Sequence, residues 1–262
     1  MSLFALWRSR RPAMDPGSVY VRERFGVRSL HIGSDTIQSA MRLARPNDLE
    51  LAYTRSMMAF LLFNDGPLQV LLVGLGGGSL LKFLYHRMRS VRIEAVEINP
   101  RVIAAARQHF HVPPDDGRLA VRIGSGAEHV AQAAADADVI MVDGYDGEAQ
   151  VEELSTRPFY DACRRRLNPG GLLVVNLWSS DRGFNGTLQR IVAAFPAGTL
   201  CLPAEKQGNI IVFAFRDAPG NPRWSALGVK ACLLEERYGL EFDKFLGGLR
   251  EMNRCDGERL YV

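Results

Sequence analysis

The sequence is short of cysteine, of long apolar runs and of net charge. Its four cysteines, Cys163, Cys201, Cys232 and Cys255, lie far apart and form no CxxC pair. That spacing argues against a disulfide framework and fits free thiols in a reducing compartment. No run approaches the roughly 18 apolar residues that a membrane-spanning helix needs. The opening MSLFALWRSRRP sets an apolar patch ahead of its arginines, the reverse of a secretory signal. A cytoplasmic protein with no membrane partner is therefore expected. The formal net charge of +3 is too small to argue for nucleic acid. The cluster Arg8, Arg10 and Arg11 reads as a solvated tail. His109 and His111 have no third ligand in view, so no metal is expected. Internal repeats and low-complexity tracts are absent as well.

What is present suits one globular unit, with 47% hydrophobic and 23% charged residues over 262 positions. The most informative stretch is Val70 to Pro100, VLLVGLGGGSLLKFLYHRMRSVRIEAVEINP. An apolar run meets the glycine loop Gly74-Leu75-Gly76-Gly77-Gly78. A helix-like segment, Ser79 to Arg89, follows, and then a second apolar run, Val91 to Ile98, that contains Glu97. Glycines let backbone approach a ligand, and a helix N-terminus offers free N–H groups. A carboxylate about 20 residues on can take the two hydroxyls of a ribose. The pattern points to a nucleoside-containing ligand, and the loop alone does not say which one.

Strand and helix patterns alternate through the rest of the chain. A leader, 1–17, precedes a small antiparallel β-meander over Ser18 to Ala40 and a helix over Leu49 to Phe63. Residues 67–216 then read as strands ending at Val73, near Glu97, at Ile123, at Val142 and at Leu177, with helices between them. Asn168-Pro169-Gly170-Gly171 closes a helix before the fifth strand. Thr199 to Leu202 and Asn209 to Phe215 are separated too briefly for a crossover helix, so an antiparallel pair is expected. Residues 217–262 form a helical tail after a Pro- and Gly-rich break, and residues 18–66 form the N-terminal part.

In a doubly wound sheet, ligands lie outside the carboxyl ends of the strands. The third strand end offers Ser125 to a base edge. The fourth offers Asp143 and Asp146, which can hold an ammonium or take a proton from an attacking amine, or else cap a turn. Trp178 and Phe184 can cover an adenine or pack in the core.

Together these strings resemble the spermidine synthases, or polyamine aminopropyltransferases, over about residues 18 to 216. That family shares the class I S-adenosylmethionine-dependent methyltransferase fold, a Rossmann-like doubly wound α/β sheet with an antiparallel last strand. The family's G-G-G-D-G-G is matched by Gly74-Leu75-Gly76-Gly77-Gly78-Ser79, and its V-E-I-D by Val96-Glu97-Ile98-Asn99. Its D-S-T-D-P is matched by Asp143-Gly144-Tyr145-Asp146-Gly147, and T-R-E-F-Y by Thr156-Arg157-Pro158-Phe159-Tyr160. L-K-P-G-G appears as Leu167-Asn168-Pro169-Gly170-Gly171, D-G-x-x-Q as Ser34-Asp35-Thr36-Ile37-Gln38, and Y-H-E-M as Tyr53-Thr54-Arg55-Ser56.

The resemblance implies transfer of an aminopropyl group from a sulfonium adenosyl donor to a small amine, within a homodimer. The donor is S-adenosylmethionine or its decarboxylated form. The resemblance assigns Gly74, Gly76, Gly77, Gly78, Glu97, Ser125 and Gln38 to the nucleoside, Tyr53 and Tyr145 to the substrate, and Asp143 and Asp146 to catalysis. It also exposes three departures. Gly77 stands where the family has an acid that grips the donor amine, which tilts the expectation toward intact S-adenosylmethionine. Ser125 replaces an acid on the adenine. Arg55 sets a positive charge where a diamine should dock. A methyltransferase on the same scaffold and a non-catalytic nucleoside-binding or scaffold protein are the alternatives. A nicotinamide oxidoreductase fits worse, given the antiparallel final pair.

Overall fold

A computed structural model describes residues 18–132, 134–144, 151–204 and 208–262. The leader expected over 1–17 lies outside them. The chain opens with β1 (Val19–Arg24), β2 (Val27–Ile32) and β3 (Ser39–Arg42), an antiparallel three-stranded sheet in that order. A short helix α1 (Ala52–Met57) continues as a 3₁₀ turn, Met58–Leu62. Then come β4 (Gln69–Val73), α2 (Ser79–Arg87), β5 (Arg92–Glu97), α3 (Pro100–His109), β6 (Leu119–Ile123), α4 (Gly126–Gln132) and β7 (Ala137–Val142). The chain continues through α5 (Arg157–Arg166), β8 (Leu167–Trp178), α6 (Phe184–Ala194), β9 (Thr199–Pro203), β10 (Asn209–Phe215), α7 (Trp224–Tyr238) and α8 (Phe242–Met252).

The second sheet has seven strands in the order β6-β5-β4-β7-β8-β10-β9. Strands β6 to β8 pair in parallel, whereas β10 runs antiparallel to both β8 and β9. This is the class I methyltransferase-like α/β architecture with its reversed strand. Successive side chains of a strand point to opposite faces. Val70, Leu72, Val139, Met141 and Val174 therefore join one core with α1, α2, α7 and α8. Leu71, Val73, Ile140, Val142 and Val175 join the other with α4, α5 and α6. Burial on both faces is why these strands read as unbroken apolar runs. Helices start where the sequence signals them. Asn99 caps α3 by accepting from the Arg101 N–H at 2.9 Å, and Thr156 caps α5 by accepting from the Phe159 N–H at 3.3 Å.

Three expected boundaries moved. The helix expected over Leu49 to Phe63 is only one and a half turns of α-helix before the 3₁₀ turn. Residues 57–62 are buried all round, so their pattern carries no helical period. Strand β8 begins at Leu167 and absorbs the Asn-Pro-Gly-Gly turn as a register shift against β7. A Cβ at Gly171 would sit 2.8 Å from the Asn168 carbonyl oxygen and 2.9 Å from that of Asp138. The third meander strand starts at Ser39, and Ile37 stays exposed in the loop before it.

The tail protects the sheet edge. The Asn253 side chain accepts from the Cys201 N–H at 2.8 Å and donates to the Cys201 carbonyl at 2.7 Å, mimicking another strand beside β9. Leu234, Phe242, Phe245 and Leu246 are consumed in this packing, whereas Leu233 is 61% exposed.

The meander docks through a small core of Leu30, Met41, Val102 and Phe110. Beside it lies a buried cation. The Lys82 ammonium donates to Met41 Sδ at 3.0 Å and to the Pro46 carbonyl at 2.6 Å. Burial pulls its pKa from 10.5 down to about 8. The unfolded chain therefore binds more protons between those values, and stability rises with pH across that window. Relative to Lys82→Met, the native protein should gain about 3 kcal/mol between pH 8 and 10.5, at 1.36 kcal/mol per pKa unit. Urea unfolding of both proteins at several pH values measures this, and parallel profiles would contradict it.

Candidate active site

Strand ends β4, β5, β7 and β8, the start of β10, the β2–β3 loop and the start of α1 enclose one cavity of about 380 Å³. Gly74, at φ 94°, occupies the tightest point of its wall. A Cβ there would lie 2.2 Å from the Asp143 carbonyl oxygen, so β4 and β7 can end side by side only with glycine. Gly74 and Gly76 line the cavity. Gly77 and Gly78 do not appear on that lining. A Cβ at 77 would meet Ser39 Oγ at 2.8 Å and Phe110 Cδ1 at 2.9 Å, and one at 78 would meet Val112 Cγ2 at 2.3 Å. These two glycines let α2 pack against the meander and the segment after α3. A side chain at 77 would meet Ser39 and Phe110 first, which removes the ground for reading donor preference from the missing acid.

Glu97 projects from the tip of β5. Its Oε2 accepts from the Leu75 N–H at 3.0 Å and its Oε1 from the Asn99 N–H at 2.9 Å. Each oxygen keeps a second lone pair, enough for a ribose diol. Asp143 follows β7. Its Oδ2 accepts from the Tyr53 hydroxyl at 3.0 Å and its Oδ1 from Asn176 Nδ2 at 2.9 Å. Burial, with a smaller push from the Glu97 charge, raises this carboxyl above the usual aspartate range, and the two hydrogen bonds oppose that. A function that needs the carboxylate is lost as pH falls through that raised value.

Ser125 and Gln38 also line the cavity. The Ser125 hydroxyl donates to Glu153 Oε2 at 3.2 Å and accepts from the Glu128 N–H at 3.3 Å, so a carboxylate does stand at this wall although residue 125 is not one. The Tyr53 hydroxyl also lies 3.4 Å from the Gln38 carbonyl. Asp146 and Tyr145 lie outside the described residues. Arg55 corrects the expectation of a cation at the acceptor. Residues two apart on a helix face different ways, so Tyr53 meets the cavity while Arg55 pairs with Glu241 at 2.8 Å. Trp178 lines the cavity and Phe184 packs against the core.

Reasoning from sequence missed Asn176, Asn209 and Glu153, all on the cavity wall. Asn176 carries a usable signal, one amide inside the apolar run LLVVNLW.

Residues 50–181 match the family model described as the spermine/spermidine synthase domain. A polyamine aminopropyltransferase of Chromobacterium violaceum is 41% identical over 97% of this chain and 98% of its own length. The chain belongs to the spermine/spermidine synthase family. Among solved structures, the spermidine synthase of Thermotoga maritima superposes with a TM-score of 0.60 at 24% identity, over 77% of this chain and 74% of that one. Human methyltransferase-like protein 13, solved in complex with S-adenosylhomocysteine (SAH), superposes at 0.64 with 27% identity, over 79% of this chain and 96% of that one. Membership of the spermine/spermidine synthase family makes the chain a transferase on the methyltransferase fold.

Glu97→Gln should weaken adenosyl binding by about 1.5–3 kcal/mol, the range for hydrogen bonds to charged groups. Calorimetry with methylthioadenosine measures this, and unchanged affinity would remove Glu97 from the nucleoside site.

Proposed function

We propose that this cavity transfers the aminopropyl group of decarboxylated S-adenosylmethionine to a small polyamine acceptor. The observation that carries the reading is the pairing of Glu97 and Asp143 in one cavity, each anchored by two donors. Glu97 and the Gly74–Gly76 backbone hold the nucleoside. Asp143, steadied by Tyr53 and Asn176, orients the acceptor amine, and Asp146 takes its proton. The amine nitrogen attacks the aminopropyl carbon next to sulfur, the carbon–sulfur bond breaks, and its electron pair leaves on the thioether of methylthioadenosine. A sulfonium is already a good leaving group, so alignment and a base are what the protein must add. Ile32, Ile37, Leu51 and Trp178 supply apolar wall to the cavity.

The decarboxylated donor is favoured by charge. The described lining residues include the carboxylates Glu97, Asp143 and Glu153 and no Lys or Arg. A donor carboxylate would meet repulsion there without a cation to offset it. Methyl transfer is the second reading, supported by the likeness to the methyltransferase solved with SAH. Nucleoside products separate the two. With putrescine and each donor in turn, aminopropyl transfer predicts methylthioadenosine from the decarboxylated donor. SAH as the only nucleoside product would overturn it.

We extend the proposal to a cytoplasmic homodimer. No helix among the described residues is long and apolar enough to cross a membrane. The exposed Val229 and Leu233, four apart on α7, offer an apolar strip for a second copy. Light scattering at micromolar concentration should read a dimer, and a monomer would contradict it.

A further inference from the structure

A nucleoside held by its ribose has a direction as well as a place. The base on C1′ and the chain on C5′ leave a ribose on opposite sides, and the two ring hydroxyls point away between them. With those hydroxyls on Glu97 at the tip of β5 and the reacting chain toward Asp143 after β7, the base must extend the other way. The sheet order β6-β5-β4-β7 makes that the end of β6. The cavity wall there is built by Ser125, Gly126 and Glu153. We propose that Glu153 reads the base: its carboxylate accepts a hydrogen bond from the exocyclic amine of adenine and so selects a 6-aminopurine nucleoside. The proposal rests on the reading of Glu97 as the carboxylate that holds the ribose.

Glu153 is exposed, yet the turn that carries it is anchored. Its neighbour Leu154 is 7% exposed and lodges against two bare backbones. A Cβ at Gly144 would lie 2.3 Å from Leu154 Cδ1, and one at Gly126 would lie 3.5 Å from Leu154 Cδ2. The Val151 N–H donates to the Gly144 carbonyl at 3.2 Å and the Leu154 N–H to the Val151 carbonyl at 3.0 Å, which ties the turn to the end of β7. The Ser125 hydroxyl then donates to Glu153 Oε2 at 3.2 Å and steers the carboxylate to the end of β6. An ionised carboxylate has about four acceptor sites, of which Ser125 uses one. It can only accept, and the 6-amino group of adenine donates. A 6-oxo purine would set oxygen against oxygen at the same place. No Lys or Arg among the described lining residues takes up the Glu153 charge. Ile98 lies directly after Glu97 on the same lining and is 63% exposed, so it offers apolar surface that a base plane can cover.

Calorimetry with two nucleosides tests this without turnover. One is methylthioadenosine, and the other is its purine analogue with hydrogen in place of the 6-amino group. The native protein should prefer the amino compound by about tenfold or more, as a hydrogen bond to a charged group implies. In Glu153→Ala that preference should fall to about twofold or less. Glu153→Gln keeps a carbonyl acceptor without the charge and should hold an intermediate preference. The side chain is exposed, so both variants should fold. A merely structural role for Glu153 would weaken both nucleosides alike and leave their ratio as it is in the native protein. An unchanged ratio in Glu153→Ala therefore overturns the proposal, and so does a native protein that binds the two nucleosides equally. A native protein that binds neither would overturn this proposal and the nucleoside site together. Selective binding that depends on Glu153, in a protein that transfers no aminopropyl group to any amine, would sink the transfer reading and leave base recognition standing.

Discussion

The structure turns on one half-buried carboxylate at the cavity wall. Asp143 follows an apolar strand and meets the first turn of α1 and the neighbouring strand β8, and an ionised group there needs donors in place. Tyr53 comes from the segment that the small N-terminal sheet leads into, Asn176 from the neighbouring strand β8, and the room for the Asp143 backbone from Gly74. These residues are far apart in sequence. They adjoin because β4, β7, β8 and β10 are consecutive in the sheet. Moving β8 by one residue would turn Asn176 to the other face and leave a carboxylate in an apolar wall.

Much of this was legible before any coordinates, for reasons that are local. The parallel strands announce themselves as apolar runs because both faces are covered, and the reversed last pair follows from a link too short for a crossover. The glycine loop and Glu97 show in sequence because close backbone approach and a ribose-binding acid each demand a particular residue type. The lengths of α1 and β8 were not legible. A run buried on every side has no period, and a glycine-rich bulge looks like a turn until its partner strand is known. Asn209 is a lone amide at a strand start, and only the register of β10 against β8 brings it to Asn176.

Two departures from the family pattern changed meaning once side-chain directions were known. Arg55 looked like a cation at the acceptor, yet its guanidinium is spent on Glu241 and on the Leu49 and Glu50 carbonyls. Ser125 looked like the loss of an acid, yet it lies against Glu153, which the turn 152–155 brings to the same wall. Substitutions read one position at a time exaggerate change in a site whose charges come from several loops.

The central claim is that an adenosyl sulfonium lies between Glu97 and Asp143. A crystal structure with decarboxylated S-adenosylmethionine bound tests it most directly. The account predicts both ribose hydroxyls on the Glu97 carboxylate and the aminopropyl chain directed toward Asp143. A nucleoside bound with its ribose away from Glu97, or with the chain directed away from Asp143, would contradict it.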